Sequence, residues 1–349
     1  AFPMLKISGE VYPIEKEQLT VDNLENLKTE MLNEEQLAEY QTNKELDYTL
    51  SLAGVGRFRV NFFRQRGTDS FVVRQIVSTI KTLSELNLPP ILAELALKER
   101  GLVLVVGSTG SGKSTTLAAM INHRNANKSG HILTLEDPIE FLHPHKKSLV
   151  NQREVGHDTL SFNRALKSAL REAPSVLLVG EIRDREAMES ALNFSETGHL
   201  VFSTLHATNT SQTIDRILSF YDRSEQDLAQ MQLSQNLLAI VAQRLIPMEN
   251  GKLTAALEIL VSTPRIKDLI QKGSIDLLPV AIKSGASESM QLFDQALYTL
   301  YKEKKISEMT AIDSADHPTD LKLMISSTEQ REPSQEINLL DDDNESHED

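Results

Sequence analysis

From residue 101 onward, four short apolar runs stand out: Leu102–Val106, His131–Leu135, Ser175–Gly180 and Leu200–Leu205. Between them, apolar residues recur at helical spacing. Runs of this length without strict polar alternation suit strands buried on both faces, and their alternation with helical segments predicts crossover units around a parallel sheet. Upstream, residues 1–87 mix strand-like pieces such as Gly56–Phe63 with a helical stretch near Leu24–Tyr40, the pattern of a small α/β domain. The segment Asn87-Leu-Pro-Pro90 interrupts that pattern, so 88–100 reads as a linker followed by an amphipathic helix, Ile91–Arg100. Beyond Thr263 the chain turns strongly helical, with Ile266–Lys272 and Met290–Lys305 the clearest segments. The pattern therefore predicts an α/β core over 101–263 carrying a helical region over 264–325, either a bundle or a lid.

Composition narrows the class without naming it. At 349 residues the chain is long enough for two or three compact units, and no apolar stretch approaches the roughly 18 residues that a membrane span needs. No charged, then apolar, then small-residue signal pattern opens it, so a cytoplasmic protein with no direct membrane insertion is expected. The chain opens on Ala1 rather than Met, which suggests trimming at its start. Cysteine is absent, which rules out disulfides and cysteine-ligated zinc. A net charge of −14 argues against a general nucleic-acid surface. Much of that charge is local: residues 326–349 hold nine carboxylates and one base, Arg331. Such a segment is expected to be a disordered acidic tail, either solubilising or a docking element built around Ile337-Asn-Leu-Leu340.

The first apolar run leads directly into chemistry. Gly107-Ser108-Thr109-Gly110-Ser111-Gly112-Lys113-Ser114 is a complete G-x-x-x-x-G-K-[ST] loop, followed by a helix-like stretch from Thr115 to Asn122. Glycines let backbone N–H groups turn inward around phosphates, the lysine reaches the β- and γ-phosphates, and the Ser114 hydroxyl suits Mg²⁺. A helix N-terminus behind the loop favours the anion. These residues imply binding of a nucleoside triphosphate with Mg²⁺.

The ends of the other runs carry polar groups, where open α/β sheets place their ligands. Glu136, Asp137 and Glu140 follow the second run and are candidates to hold a metal's water shell or orient an attacking water. The third, Val176-Leu-Leu-Val-Gly-Glu-Ile-Arg-Asp184, has the shape of a Walker B strand with Gly180 where an Asp usually ends the run. Glu181 is then the water-activating carboxylate, with a strand-end ion pair to Arg183 as the competing reading. His199 and His206 bracket the fourth run, and His206 is placed to hydrogen-bond a γ-phosphate and report its presence. Arginines at 57, 59, 64, 74 and 171 are the available sources of charge stabilisation, and strand alternation puts Arg57 and Arg59 on one face.

These segments, in this order, resemble the secretion ATPases of type II secretion and type IV pilus machines: the phosphate loop, an Asp box at Leu133–Phe141, a Gly-Glu Walker B and a His box at Gly198–His206. Gly56-Arg-Phe-Arg-Val60, Val150-Asn-Gln-Arg-Glu-Val155 and Ala169-Leu-Arg-Glu-Ala-Pro-Ser175 resemble its retraction branch, the PilT/PilU-type twitching-motility ATPases, and the missing four-cysteine module agrees. Met290–Tyr298, Ser314–Met324 and the acidic tail are more similar to the PilU type, while Arg265-Ile-Lys-Asp-Leu269 departs from the Ala-Ile-Arg-Asn-Leu motif of the PilT type. The resemblance implies a PAS-like N-terminal domain, shortened at its start, and a RecA-like P-loop ATPase core, assembled as a homohexamer. It implies ATP and Mg²⁺ as cofactors, with a PilT-like retraction ATPase and an inner-membrane pilus platform protein as partners. It assigns Arg59, Arg74 and Arg171 to phosphate contacts beside Glu136, Glu140, Glu181 and His206. The implied function is a motor driving or assisting pilus retraction, or else an accessory ring with weak turnover alone that docks on PilT through its tail.

Overall fold

The computed structural model describes residues 2–7, 10–15, 17–52, 54–76 and 79–329. The expected tail lies outside the described residues from 330 onward, and 326–329 complete the last helix. Two compact units are present. Ala1–Ile80 with Glu140–His143 form one, and Lys81–Ile139 with the chain from Pro144 onward form the other.

The first unit opens with an antiparallel pair, β1 (Met4–Ile7) and β2 (Glu10–Pro13). Two helices follow, α1 (Val21–Met31) and α2 (Glu34–Asn43), and then an antiparallel sheet of β3 (Glu45–Leu52), β4 (Gly56–Gln65) and β5 (Thr68–Ile76). The single helical stretch expected near Leu24–Tyr40 is therefore two. Asn33 makes the break by capping α2: its side chain accepts the Gln36 N–H at 2.9 Å while the Gln36 side chain accepts the Asn33 N–H at 3.1 Å. Val60 and Phe62 on β4 point to the buried face, packing with Leu32, Tyr40 and Leu46. Period-two alternation leaves Arg57 and Arg59 on the opposite face.

The second unit begins with α3 (Ile91–Ala96), shorter than the helix expected to Arg100. Arg124 donates to the carbonyls of Ala96 and Lys98, at 3.4 and 2.6 Å, and so satisfies groups a longer helix would have paired internally. The alternation that follows runs β6 (Gly101–Val106), α4 (Lys113–Asn127), β7 (Gly130–Glu136), β8 (Ser148–Glu154), α5 (Phe162–Glu172), β9 (Val176–Val179), α6 (Arg185–Glu196) and β10 (Leu200–Leu205). Next come α7 (Thr210–Leu218), α8 (Gln226–Asn236), β11 (Leu237–Pro247) and β12 (Leu253–Val261). The seven strands form one sheet in the order β12-β11-β6-β10-β9-β7-β8. All neighbours are parallel except β11 and β12, so the expected parallel sheet is mixed, with an antiparallel strand at one edge.

Leu102, Leu104 and Val106 face one apolar layer with α5, α6 and α7, while Val103 and Val105 face another with α3 and α4. The sheet is thus covered on both sides, which accounts for its apolar runs. The helical region comprises α9 (Pro264–Gln271), α10 (Leu278–Ser284), α11 (Phe293–Lys302), α12 (Glu308–Ser314) and α13 (Pro318–Glu329). Its buried residues Ile266, Phe293, Leu297 and Leu321 belong to the same apolar layer as the sheet, so this region shares the core of the second unit.

Candidate nucleotide site

Four adjacent strands, in the order β6, β10, β9 and β7, end at one edge of the sheet. Register fixes that edge: Leu205 pairs with Val106, Ser203 with Val179, and Val179 with Leu135. The phosphate loop, His206, Glu181 and Glu136 therefore emerge side by side from segments far apart in sequence. Carboxyl ends of parallel strands are where such sheets bind ligands.

The loop has the cradle shape its glycines predict. Gly107 has φ +152°, and a Cβ there would lie 2.5 Å from the Gln243 carbonyl oxygen and 2.4 Å from Ser111 Oγ. Gly112, at φ +89°, would place a Cβ 2.7 Å from Gln243 Nε2. Only glycine fits either position. Helix α4 starts at Lys113, so Ser114 and Thr115 lie in a first turn whose N–H groups have no intrahelical partner. Lys113 Nζ donates to the carbonyls of Gly107 and Ser108 at 2.8 and 2.9 Å, which lays the ammonium along the loop. Ser111 Oγ is buried with no hydrogen-bond partner among the described residues. A concave backbone, the first-turn amides of α4 and a lysine folded over them fit a triphosphate. Lys113 and the loop amides would hold it, and Ser114 would supply a hydroxyl for its Mg²⁺.

Glu181 has two basic neighbours. Its Oε1 lies 3.0 Å from His206 Nε2, and its Oε2 accepts from Arg183 Nε at 2.6 Å. Arg183 also reaches Asp137 at 3.6 Å, linking the Walker B strand to the Asp box. The competing ion pair is thus formed together with the His206 contact, and the Glu181 carboxylate raises the affinity of the Arg183 guanidinium for its proton. Gly180 explains itself here. A Cβ at this position would lie 3.2 Å from the Leu135 carbonyl oxygen and 3.3 Å from the Glu136 Cα, and the Gly180 N–H donates to Leu135 at 2.8 Å. Lack of a side chain lets the ends of β9 and β7 close together and brings Glu136 beside Glu181's strand. Glu136 Oε1 accepts from Thr134 Oγ1 at 2.6 Å and from Gln152 Nε2 at 3.2 Å, which orients it.

Other expected residues lie elsewhere. Arg171 is exposed at the end of α5. The next residue's carbonyl contacts His131 Nδ1 at 3.2 Å, near the start of β7, so Arg171 sits at the amino edge of the sheet, away from the phosphate loop of its own chain. His199 likewise precedes β10. Its Nδ1 lies 3.0 Å from the Phe194 carbonyl oxygen and its ring packs edge-on against Phe194, a structural setting. Glu140, Arg59 and Arg74 belong to the first unit. There Arg59 pairs directly with Arg74 across β4 and β5, both exposed, giving two guanidinium groups on one sheet face.

Gln243 is the residue that motif reading missed. Buried on β11, it donates from Nε2 to the Ser111 carbonyl at 2.8 Å and accepts from Thr116 Oγ1 at 2.7 Å. It pins both the loop and the first turn of α4. The available signal was a polar pair, Gln243-Arg244, inside the otherwise apolar run Leu237–Ile246.

Residues 8–306 match the Type II/IV secretion system protein family. The chain belongs to that family. It is 47% identical over 324 residues to the type IV pilus ATPase PilU of Pseudomonas aeruginosa, covering 93% of this chain and 85% of that protein. It is 43% identical over 316 residues to the type IV pilus retraction ATPase PilT of the same organism, covering 90% and 92%. Among solved structures, the pilus retraction motor PilT with bound ADP superposes with a TM-score of 0.86 at 40% identity, over 93% of each chain. The chain is thus a close homologue of the PilT/PilU-type retraction ATPases, and its second unit has their P-loop ATPase core. Among the described residues no helix is long and apolar enough to cross a membrane.

Proposed function

We propose that this chain is the ATP-hydrolysing subunit of a motor that drives or assists type IV pilus retraction, working in the cytoplasm against an inner-membrane platform protein. The observation that carries this reading is the junction of the phosphate loop, Glu136 and the Glu181–His206 pair at adjacent strand ends. Lys113 and the loop amides bind the phosphates, and Ser114 and Glu136 serve Mg²⁺ and its water shell. Mg²⁺, when bound, would supply charge neutralisation on the phosphate oxygens. Glu181, held between His206 and Arg183, orients and deprotonates the attacking water. His206 Nε2 lies 3.0 Å from that carboxylate, so any change in what Glu181 contacts is transmitted to the strand end after β10.

The first unit is read as a PAS-like domain whose Arg59 and Arg74, on one exposed sheet face, neutralise transferred charge, and Glu140 joins Glu136 in supporting the metal and water. Arg171, at the opposite sheet edge, reaches a nucleotide only if a neighbouring copy supplies it, which suits a homohexameric ring. The Arg265–Leu269 departure favours a second reading, an accessory ring that turns over slowly and acts by docking on a PilT ring. Steady-state ATPase rates of the purified protein, with and without PilT, separate the two. Glu181→Gln is expected to lower kcat by about 10²- to 10⁴-fold while ATP still binds. Turnover at the parental rate in that variant would remove Glu181 from its role.

A further inference from the structure

We propose that Glu258 is a positioning residue that holds His206 against Glu181 by anchoring the amino end of α7. It rests on the assignment of His206 given above. Glu258 lies on β12, paired with Ala242 of β11, and is only 6% exposed. A buried carboxylate is costly unless its oxygens are satisfied. Here a single oxygen, Oε1, accepts the Thr210 N–H at 2.8 Å and the Thr210 hydroxyl at 2.7 Å. Thr210 is itself buried and is the first residue of α7.

Only residues 207–209 separate Thr210 from His206. On the other side of His206, Thr204 donates its hydroxyl to the Gly180 carbonyl at 2.7 Å, and its own carbonyl accepts from the Ile182 N–H at 2.9 Å. The segment carrying His206 is therefore tied at one end to the Walker B strand and at the other to Glu258. The His206 side chain is 54% exposed, which leaves its placement mainly to the backbone that carries it. Its position depends on those two backbone anchors. Within the segment, Asn209 caps α7 by accepting the Gln212 N–H at 2.8 Å, a local bond that shapes the turn without fixing it to the sheet. Glu258 supplies that fixation from the edge strand β12.

The test uses the full chain with Glu258→Ala, Glu258→Gln, Thr210→Val and His206→Ala. Glu258→Ala is expected to speed hydrogen exchange across residues 205–213, leave the phosphate-loop peptide unchanged, and lower kcat about 10- to 100-fold with little change in affinity for a fluorescent ATP analogue. Glu258→Gln keeps the accepting oxygen and is expected to restore most of the rate. In a His206→Ala background, Glu258→Ala should cost little more, because both changes remove one function. Unchanged exchange at 205–213 in a folded Glu258→Ala protein, or losses that simply multiply with His206→Ala, overturns the proposal. Should Glu258→Ala fail to fold, Thr210→Val removes one of the two donors and gives the same readouts. If His206→Ala alone leaves kcat intact, the catalytic reading of His206 falls, and exchange at 205–213 still decides whether Glu258 is the anchor.

Discussion

Replacing Gln243 by leucine removes two hydrogen bonds without opening a cavity, since the side chains are similar in size. The lost contacts are the 2.8 Å donation to the Ser111 carbonyl and the 2.7 Å acceptance from Thr116. Each neutral bond is worth about 1 kcal/mol, and leaving a buried partner unsatisfied costs about 1–3 kcal/mol. Thr116 is 1% exposed, so water does not replace its lost acceptor readily. The sum is about 3–5 kcal/mol of stability. Because Ser111 and Thr116 flank the glycine and lysine that shape the cradle, part of this loss falls on the loop's preorganisation. At 1.4 kcal/mol per decade, weakening of nucleotide binding by about 10- to 100-fold is expected. Urea denaturation measures the stability term, and titration with a fluorescent ATP analogue under fully native conditions measures the affinity term. Parental values for both would refute the claim that Gln243 holds the loop.

Gly180→Ala puts a methyl group against the Leu135 carbonyl and Glu136 backbone, at 3.2–3.3 Å. It should destabilise by about 1–3 kcal/mol and lower kcat more than ATP affinity, as the ends of β9 and β7 separate. Unfolding and steady-state kinetics check both. In the first unit, Asp69 accepts from Lys28 at 2.7 Å and Tyr40 at 2.9 Å. Burial pushes its carboxyl upward, but those donors outweigh burial and hold it below the usual carboxylate range. Its contribution to stability is therefore complete above the ordinary carboxylate pKa and is lost as pH falls through the lower folded value. Asp69→Asn should destabilise the first unit by about 3 kcal/mol at neutral pH and flatten that acid limb, seen in denaturation curves across pH. Glu258 has the opposite sign, since burial raises its carboxyl above the ordinary value. Its charged form opposes folding above the folded pKa, and the penalty fades as pH falls through that value, so Glu258→Gln should flatten this second dependence.

Local pattern was enough for several features. The phosphate loop needs specific residues at specific spacing, so Gly107 to Ser114 were legible, and four buried strands were legible because each is a short apolar run. Strands β8, β11 and β12 were not among them. In β8 (Ser148–Glu154), only the adjacent Leu149 and Val150 are apolar. In β11, Gln243 and Arg244 interrupt the run, and both side chains find partners only after folding: Gln243 on the phosphate loop, and Arg244 on Asp316 at 2.7 Å.

By itself the sequence determined that this chain would cradle a triphosphate, with carboxylates and a histidine following the neighbouring apolar runs. Those are properties of short segments, set by backbone freedom, side-chain chemistry and residue spacing. Tertiary structure decided the order of the strands, which put Glu181 3.0 Å from His206 and left Arg171 at the far edge of the sheet. It also decided why residue 180 is glycine and why Gln243 and Glu258 are buried. Each of those answers depends on which backbone or hydroxyl a distant segment brings within about 3 Å, where hydrogen bonds and steric contact act.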